Sequence, residues 1–264
     1  MCSLGREKDD NVMKCILSMA SPMKSLESYD RYLFVGPHPD DIEIGSGSTA
    51  AKLAKMGKTV TFLIALDGRY GLEFVSSGIT STDLIEIRKR EAKASALALG
   101  VDDVRFLGFS DGAQYENKDL LCAIAKVIGD VNPEVIFAPD PCLSNECHQD
   151  HLNVGTVVRQ LAFFAPFAPI MQQFGAKSAT VEAIAFYYTA QPNTYVKTKS
   201  FVELQHKAIF DNHVSQFPKG GPQAKSLAAY LKLRSFFMGF HRLSFHAEGF
   251  RMLDRIRMHC ITEV

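Results

Sequence analysis

The side chains best suited to chemistry are crowded into residues 36–45, which read Gly-Pro-His-Pro-Asp-Asp-Ile-Glu-Ile-Gly. Within six positions they include one imidazole and three carboxylates, those of His38, Asp40, Asp41 and Glu43. The apolar run 32–35 predicts a buried strand, so the cluster lies on the turn at the carboxyl end of that strand, where open parallel sheets bind ligands. Several carboxylates in one turn repel one another unless a cation is present or some stay protonated. The segment therefore predicts a bound metal ion.

A second polar cluster, residues 147–151, reads Cys-His-Gln-Asp-His and follows another apolar run, 135–138. Zinc in a catalytic site typically takes about three protein ligands from His and Asp or Glu and keeps a fourth position for water. The residues alone leave the ligands open between His38, one of Asp40 and Asp41, and one of His148 and His151. The carboxylate that does not bind the metal would be free to act as a base on the metal-bound water.

Together the two motifs resemble those of the zinc-dependent N-acetylglucosaminyl deacetylases, the PIG-L/LmbE-like family, in which His-Pro-Asp-Asp-x-Glu is followed by His-x-Asp-His. Weaker similarities extend along most of the chain, at residues 66–68, 88–91, 107–112, 207–208, 213–216 and 247–250. The resemblance implies a hydrolase that removes the acetyl group from an N-acetylated amino sugar with one Zn²⁺ per chain and water.

The resemblance also implies a role for each residue of the two motifs. The metal ligands would be His38, Asp41 and His151. Asp40 would be the general base that takes a proton from the zinc-bound water, and His148 would stabilise the oxyanion or protonate the leaving amine. Asp150 would hold His148 in orientation through a hydrogen bond to its ring, although an Asp before a helical pattern is also typical of a helix N-cap.

Substrate contacts are implied at two further positions, Arg88 and Asp111, which match residues that grip sugar hydroxyls in the family. Two positions depart from the family pattern, since Arg69 stands where Glu is frequent and His246 where Tyr is frequent. The reversed charge at Arg69 would favour an acidic or hydroxyl-rich substituent on the substrate. We expect Glu43 to have a structural role and His246 to be a packed histidine.

The composition is that of a globular protein, with 47% hydrophobic and 22% charged residues among 264, enough for one large α/β domain or two small ones. The formal net charge is zero, so no basic field favours nucleic acid or an anionic membrane. No apolar run reaches the roughly 18 residues of a membrane-spanning helix. The segment 12–20 is interrupted by Lys14 and follows two acidic residues, unlike a signal peptide.

We therefore expect a cytoplasmic enzyme with reduced cysteines, a flexible N-terminal arm over residues 1–28, which fall outside the resemblance, and a single domain over 29–264. The resemblance also implies a homo-oligomer. The aromatic pairs 163–164 and 236–237 are candidate contacts between copies, although burial in the core explains them equally well.

Strand and helix signals alternate along the chain and predict a Rossmann-like, mostly parallel sheet with helices on both faces. Apolar runs, rich in β-branched residues, predict strands at 32–35, 59–66, 104–107, 135–138 and 181–188. Helical spacing of apolar residues predicts helices at 46–56, 82–99, 118–128 and 151–164. The C-terminal part is predicted to be mostly helical, at 200–216 and 223–240, with a short strand or turn near 245–250.

Three other functions compete with the deacetylase as interpretations of the sequence. Residues 45–50 match the dinucleotide fingerprint G-x-G-x-x-A, but that fingerprint needs its first glycine directly after the strand, and nine residues separate Val35 from Gly45. A nicotinamide-dependent oxidoreductase is therefore disfavoured. A metal-free binding protein is disfavoured because the candidate ligands and the base are all present. A zinc amidase for another small N-acylated amine stays open, because a fold does not determine a substrate.

Overall fold

A computed structural model describes residues 16–17, 19–71 and 78–259 of the chain. Its strands are β1 (Arg31–Gly36), β2 (Thr59–Leu66), β3 (Asp103–Phe109), β4 (Val135–Pro139), β5 (Ala183–Tyr187), β6 (Thr194–Lys197) and β7 (Ala247–Asp254). In the described part of the chain they form one sheet with the order β3-β2-β1-β4-β5-β7-β6. The first five strands pair in parallel, whereas β7 is antiparallel to its neighbours β5 and β6.

Helices cover both faces of this sheet. They are α1 (Asp41–Lys55), α2 (Ser81–Ala98), α3 (Asn117–Val131), α4 (Gln149–Phe164), α5 (Ala168–Gln173), α6 (Val202–Lys207) and α7 (Pro222–Phe240). Phe34 of β1 packs in the layer with α1 and α2, and Leu33 in the layer with α3 and α4. Strands that are covered on both faces have continuous apolar sequences. For this reason the apolar runs in the sequence predicted the central strands. The predicted fold class is confirmed.

The order of the strands places the two polar motifs together. β1 lies between β2 and β4. The crossover after β1 leads to β2 on one side of it, and after β3 the chain crosses back to β4 on its other side. At such a switch point the loops at the carboxyl ends of neighbouring strands diverge and leave a crevice. Residues 37–40 follow β1, and residues 140–148 follow β4. Both motifs therefore border one crevice.

Helix α1 begins at Asp41, five residues before the predicted start at residue 46. Asp41 and Glu43 lie in its first turn, where negative charge is favourable beside the unpaired N–H groups of a helix. The helix is interrupted at Ser46, which has a non-helical φ of −153°. The carboxylate of Glu248 on β7 accepts hydrogen bonds from the backbone N–H groups of Ser48 and Thr49, at 3.1 and 2.7 Å. This distant carboxylate supports the interrupted helix, and no local sequence signal revealed it.

The C-terminal part contains more strand than the predicted pattern. The predicted helix 200–216 is divided into α6 and a π-helical turn, Ala208–Asn212. β6 and α5 were not predicted, because four and six residues are too few to show a period. The expected short strand near residue 250 is the eight-residue β7.

Most of the predicted N-terminal arm, residues 1–15 and 18, lies outside the described residues. Nearer to β1, Leu26 is buried, and its carbonyl accepts a hydrogen bond of 2.9 Å from the hydroxyl of Tyr32. The division of the chain at residue 28 stays a prediction. Among the described residues, no helix combines the length and the apolarity needed to cross a membrane.

Candidate metal and catalytic site

Three imidazoles from the two motifs meet in the crevice. His38 belongs to the loop after β1, while His148 and His151 lie at the start of α4. Each offers a ring nitrogen, and these nitrogens lie within 4.8 Å of one another. The rings of His148 and His151 are stacked, with centroids 4.7 Å apart. Such a group can hold a divalent metal ion.

The carboxylate of Asp41 lies between two of these imidazoles. Its Oδ2 is 3.2 Å from His38 Nδ1, and its Oδ1 is 3.4 Å from His151 Nε2. Oδ2 also accepts the backbone N–H of His38 at 2.8 Å, and the Tyr188 hydroxyl donates to Oδ1 at 3.3 Å. Two ring nitrogens and a carboxylate thus face a common point, with the carboxylate held in place from both sides.

The other nitrogen of each of these two rings is bound by a second carboxylate. Asp150 Oδ2 lies 3.2 Å from His38 Nε2, and Glu146 Oε2 lies 3.0 Å from His151 Nδ1. Metal-binding histidines usually have such a partner, which fixes the tautomer and the direction of the ring. The arrangement directs His38 Nδ1 and His151 Nε2 towards the space beside Asp41.

The electrostatics of the cluster also fit a cation. Burial would lower the pKa of His38, but hydrogen bonds to Asp150 and Asp41 raise it to about 10. Burial opposes a raised pKa at His151 as well, yet the charge of Asp41 contributes most to raising it to about 9. The surrounding carboxylates therefore stabilise positive charge between His38 and His151. A divalent ion would supply it and leave the imidazoles neutral, as metal ligation requires.

Asp150 is fully buried and has several partners besides His38. It accepts hydrogen bonds from the backbone N–H groups of Gly112 and Ala113, both at 2.8 Å, and from the Tyr115 hydroxyl at 2.9 Å. Its Oδ2 is 3.8 Å from His148 Nδ1, beyond hydrogen-bond length. His38 is thus its nearest imidazole, whereas the family resemblance implied His148. Asp150 also ties the loop after β3 to the metal site.

Asp40 is held in an unusual backbone conformation, with φ 114° and ψ −25°. Residues other than glycine adopt this region at a cost of about 1–3 kcal/mol, and such residues are frequent in functional sites. Its Oδ2 accepts a hydrogen bond of 3.1 Å from Arg88 Nη2. Burial raises the pKa of Asp40 to about 6, although the charge of Arg88 acts in the opposite direction. A carboxylate of this kind can take up a proton near neutral pH.

His148 is the most accessible of the three imidazoles, with its side chain 49% exposed. Burial lowers its pKa, and the neighbouring His38 and His151 lower it further. It borders a cavity of about 440 Å³ that is also lined by Asp40, Tyr70, Arg88 and Asp111. Seven of the eight site residues predicted from the sequence line this cavity, and the eighth, Asp150, lies behind its wall and accepts a hydrogen bond from Gly112.

Arg88 and Asp111 form hydrogen bonds with the loops of this cavity. Arg88 donates from Nη1 to the carbonyl of Gly68 at 3.0 Å and from Nη2 to that of Pro39 at 2.7 Å. Asp111 accepts from the backbone N–H groups of Gly68 and Tyr70, at 2.7 and 3.3 Å. Both side chains are buried. They shape the cavity, and their contact with a sugar stays a prediction.

The two positions that depart from the family pattern have protein partners. Arg69 Nε lies 2.9 Å from Asp67 Oδ2, so a neighbouring carboxylate offsets its charge. His246 Nδ1 lies 2.8 Å from the hydroxyl of Ser235, in the packing of α7 on β7.

The sequence did not identify several residues that support the site. Glu146 and Tyr188 contact His151 and Asp41, and His213 lies 3.2 Å from Glu43 in a buried pair. A signal existed for two of them, since Glu146 is an acidic residue five positions before a candidate ligand and His213 lies in the stretch 213–216 that resembles the family. Tyr188 follows a strand that pairs with β4, and His213 follows the π-helical turn, so only tertiary structure brings them to the site.

Comparison with known proteins finds several that are similar to this chain in sequence or in structure. The family model described as PIG-L, GlcNAc-PI de-N-acetylase, matches residues 33–162. The diacetylchitobiose deacetylase of Thermococcus kodakarensis is 31% identical over 87% of this chain and 85% of its own. The 1D-myo-inositol 2-acetamido-2-deoxy-alpha-D-glucopyranoside deacetylase of Kineococcus radiotolerans is 38% identical over 45% of this chain and 35% of its own. The N,N'-diacetylchitobiose deacetylase structure from Pyrococcus horikoshii aligns with a TM-score of 0.84 at 27% identity, over 96% of each chain.

Proposed function

Because this chain belongs to the PIG-L family of GlcNAc-PI de-N-acetylases, we propose that it removes the acetyl group from the nitrogen of an N-acetylglucosamine-type sugar by metal-dependent hydrolysis. The names of its relatives include diacetylchitobiose and a 2-acetamido-2-deoxyglucopyranoside, which have an N-acetylated amino sugar in common. The observation that carries the proposal is the meeting of His38, Asp41 and His151 beside the half-buried carboxylate of Asp40.

The metal would be held by His38 Nδ1, His151 Nε2 and an oxygen of Asp41. Two imidazoles and one carboxylate form a donor set that zinc takes in catalytic sites, and we therefore propose Zn²⁺. A bound cation of this kind lowers the pKa of water and polarises a carbonyl group. Asp150 and Glu146 would keep the two rings directed at the ion.

Asp40 would act as the general base. It accepts a proton from the water whose oxygen attacks the acetamide carbonyl carbon. Its half-buried position at the cavity and its raised pKa support this role, because a base is most effective when its pKa lies near the working pH. Arg88 would hold the carboxylate in the strained conformation that faces the cavity.

His148 would act on the other side of the scissile bond. As the carbon–nitrogen bond breaks, the leaving nitrogen takes a proton and departs as the free amine of the sugar, while the acyl group leaves as acetate. The exposed ring of His148 borders the cavity and can deliver that proton, or stabilise the oxyanion before the bond breaks. The sugar would occupy the 440 Å³ cavity beside Arg88 and Asp111.

The test is metal analysis combined with amine release, using zinc-loaded wild type and Asp40→Asn. The substrates are N-acetylglucosamine, N,N'-diacetylchitobiose and a non-sugar N-acetylated amine. We expect about one zinc per chain in both proteins, and a loss of turnover of about 10²-fold or more in Asp40→Asn. Asp102→Asn, at an exposed position outside the site, is the matched control and should retain full activity. Full activity in Asp40→Asn would refute the proposed base, and preference for the non-sugar amine would refute the substrate class.

We also propose that the chain forms a homo-oligomer through the C-terminal end of α7. Phe237 and Phe240 are 56% and 62% exposed there, and Leu243 and Phe245 beyond the helix are 96% and 64% exposed. The other candidate pair, 163–164, packs within the chain against Phe167 and Arg255. The α7 cluster, Phe236, Phe237, Phe240, Leu243 and Phe245, is therefore the better candidate for a contact between copies.

A further inference from the structure

A second cavity adjoins the one that the imidazoles border. It has a volume of about 640 Å³, against about 440 Å³ for the first. Asp40 and Gln216 line both cavities, so the two meet at the residue assigned as the general base. A substrate that reaches Asp40 from the first cavity can therefore extend into the second.

The two cavities differ in chemistry. The first is lined by imidazole, carboxylate and guanidinium groups. The second is bordered by Ile44 of α1, Phe217, and Leu227 and Tyr230 of α7, with Gln223 and Ser226 at its exposed side. Its volume is within the range of small-molecule sites, about 300–1,000 Å³. Its walls suit an apolar group, whereas the polar cavity suits a sugar.

The direction of the scissile amide determines which part of the substrate enters the apolar cavity. The carbonyl carbon must lie near Asp40, which takes the proton of the attacking water. The amide nitrogen must face His148, which borders the polar cavity. The remaining substituent of the carbonyl carbon is the acyl chain, and it is directed away from His148, past Asp40.

We propose that the cavity lined by Ile44, Phe217, Leu227 and Tyr230 binds the acyl chain of the substrate, so that the enzyme hydrolyses N-acylglucosamines with chains longer than acetyl. This inference rests on the proposed function, because it takes Asp40 and His148 as the residues on either side of the scissile bond. It goes further in naming a substrate class, amino sugars with a medium-length aliphatic amide.

The test compares N-acetyl-, N-butanoyl- and N-hexanoylglucosamine in amine release by zinc-loaded enzyme. Full burial of one methylene group contributes about 0.8 kcal/mol, or about fourfold in a rate or binding constant. Because the cavity is open on one side, we expect kcat/KM to rise about two- to fourfold per added methylene. A ratio of hexanoyl to acetyl activity below one would overturn the proposal.

Leu227→Ser should lower this ratio about tenfold by placing a hydroxyl in the wall of the cavity. Leu233→Ser makes the same change on the same helix, at a side chain that is 57% exposed and outside the cavity wall, and should leave the ratio unchanged. Octanoate binding, measured by calorimetry against acetate, gives a readout without turnover. Leu227→Ser should weaken octanoate about tenfold and acetate hardly at all, and equal binding of octanoate by both variants would contradict the proposal.

A further substrate, hexyl N-acetylglucosaminide, carries the same chain on the sugar instead of the amide. If Leu227→Ser impairs this glycoside alone, the cavity binds the aglycone and the acyl assignment is wrong. If the acetyl substrate is hydrolysed but longer chains are rejected, the acyl pocket fails while the proposed function stands. If no amino sugar releases amine, the proposed function itself fails.

Discussion

Single side chains outside the two motifs orient the residues inside them. Glu146 binds one nitrogen of His151, and Arg88 binds the carboxylate of Asp40. Neither contact occupies the side of the residue that the proposed chemistry uses. His151 Nε2 still faces Asp41, and Asp40 still borders the cavity. The directions of these two motif side chains, His151 and Asp40, are therefore determined by neighbours outside the motifs.

Glu146→Gln tests this positioning at the metal site. An amide binds an imidazole more weakly than a carboxylate does, so we expect zinc affinity to fall about 10- to 100-fold. Competition with a chromophoric chelator measures the affinity directly. Glu116→Gln changes an exposed Glu outside the site and should bind zinc like the wild type. Wild-type affinity in Glu146→Gln would show that His151 needs no such partner.

The roles of individual residues were only partly accessible from the sequence. The motif spacing and the family resemblance identified all the residues of the cluster, and the structure brings them together. The partner of Asp150 was not accessible, because it depends on how the start of α4 faces the loop after β1. In the structure His38 is closer to Asp150 than His148 is.

At the scale of elements, α1 must approach β5 closely for Asp41 to reach the crevice. A Cβ atom at Gly45 would overlap the ring of Tyr187, a buried residue whose hydroxyl donates to the carbonyl of Val35 at 2.8 Å. Gly45, the first glycine of the stretch that resembles a nucleotide fingerprint, thus allows close packing of a helix on a sheet. This explanation agrees with the misplaced first glycine in the sequence.

Gly45→Ala should therefore destabilise the protein by about 2 kcal/mol, because overpacking of a well-packed core typically costs about 1–3 kcal/mol. Urea unfolding measures the change. Gly47→Ala is the matched control, since its new methyl group would meet only Gln205, at 3.1 Å, and a shift of a few tenths of an ångström relieves that contact, whereas the Tyr187 ring would lie at 2.3 Å from the methyl group of Gly45→Ala. A gain in helix propensity of about 0.5–1 kcal/mol applies to both variants. Equal stability of the two would refute the packing explanation.

The strands and long helices were predicted from apolar runs and helical periods, and β2 has the predicted bounds, Thr59–Leu66. The early start of α1 was not predicted, because the charged residues 40–43 show no apolar period. Its first turn is stabilised by charges near a helix N-terminus, and the part after the interruption at Ser46 is stabilised by the distant Glu248. Long-range contacts of this kind leave no trace in a local window of sequence.

For the whole molecule, an ion pair ties the C-terminal strand to the centre of the sheet. Arg251 on β7 donates to both oxygens of Asp140, the residue after β4, at 2.8 and 2.6 Å. Burial would raise the pKa of Asp140, but the hydrogen bonds from Arg251 lower it below its usual 3.8. Folding therefore favours the ionised carboxylate.

Asp140→Asn should lower the free energy of unfolding by about 3 kcal/mol at pH 7, because it leaves the charge of Arg251, whose side chain is 11% exposed, unpaired. The folded pKa is depressed, so the contribution is fully present above the unfolded pKa of about 4 and is lost as the pH falls through the lower folded value. In urea unfolding, the difference in the free energy of unfolding between the wild type and Asp140→Asn should therefore become smaller below about pH 4. Asp103→Asn, which breaks an exposed pair, should cost less than about 1 kcal/mol. A free-energy difference that does not depend on pH would show that the ionised Asp140 carboxylate does not stabilise the fold.

The α7 cluster makes a prediction about assembly. Light scattering should give the purified protein a mass of at least two chains, and Phe237→Asp should lower that mass, because a charge in an apolar contact is costly to bury. Leu97→Asp alters another exposed apolar side chain, 67% exposed on α2, and should leave the mass unchanged. A monomeric wild type would refute the oligomer.

The sequence by itself determined the chemistry and the fold class. The two His- and Asp-containing motifs and the apolar runs before them are local patterns, and local patterns can be read along a chain. Only the tertiary structure decided which ring nitrogens of His38 and His151 face Asp41, how Asp40 is held, and that an apolar cavity adjoins the polar one at Asp40. These features depend on contacts between residues far apart in the chain. Their geometry is set by packing, which no spacing in the sequence records.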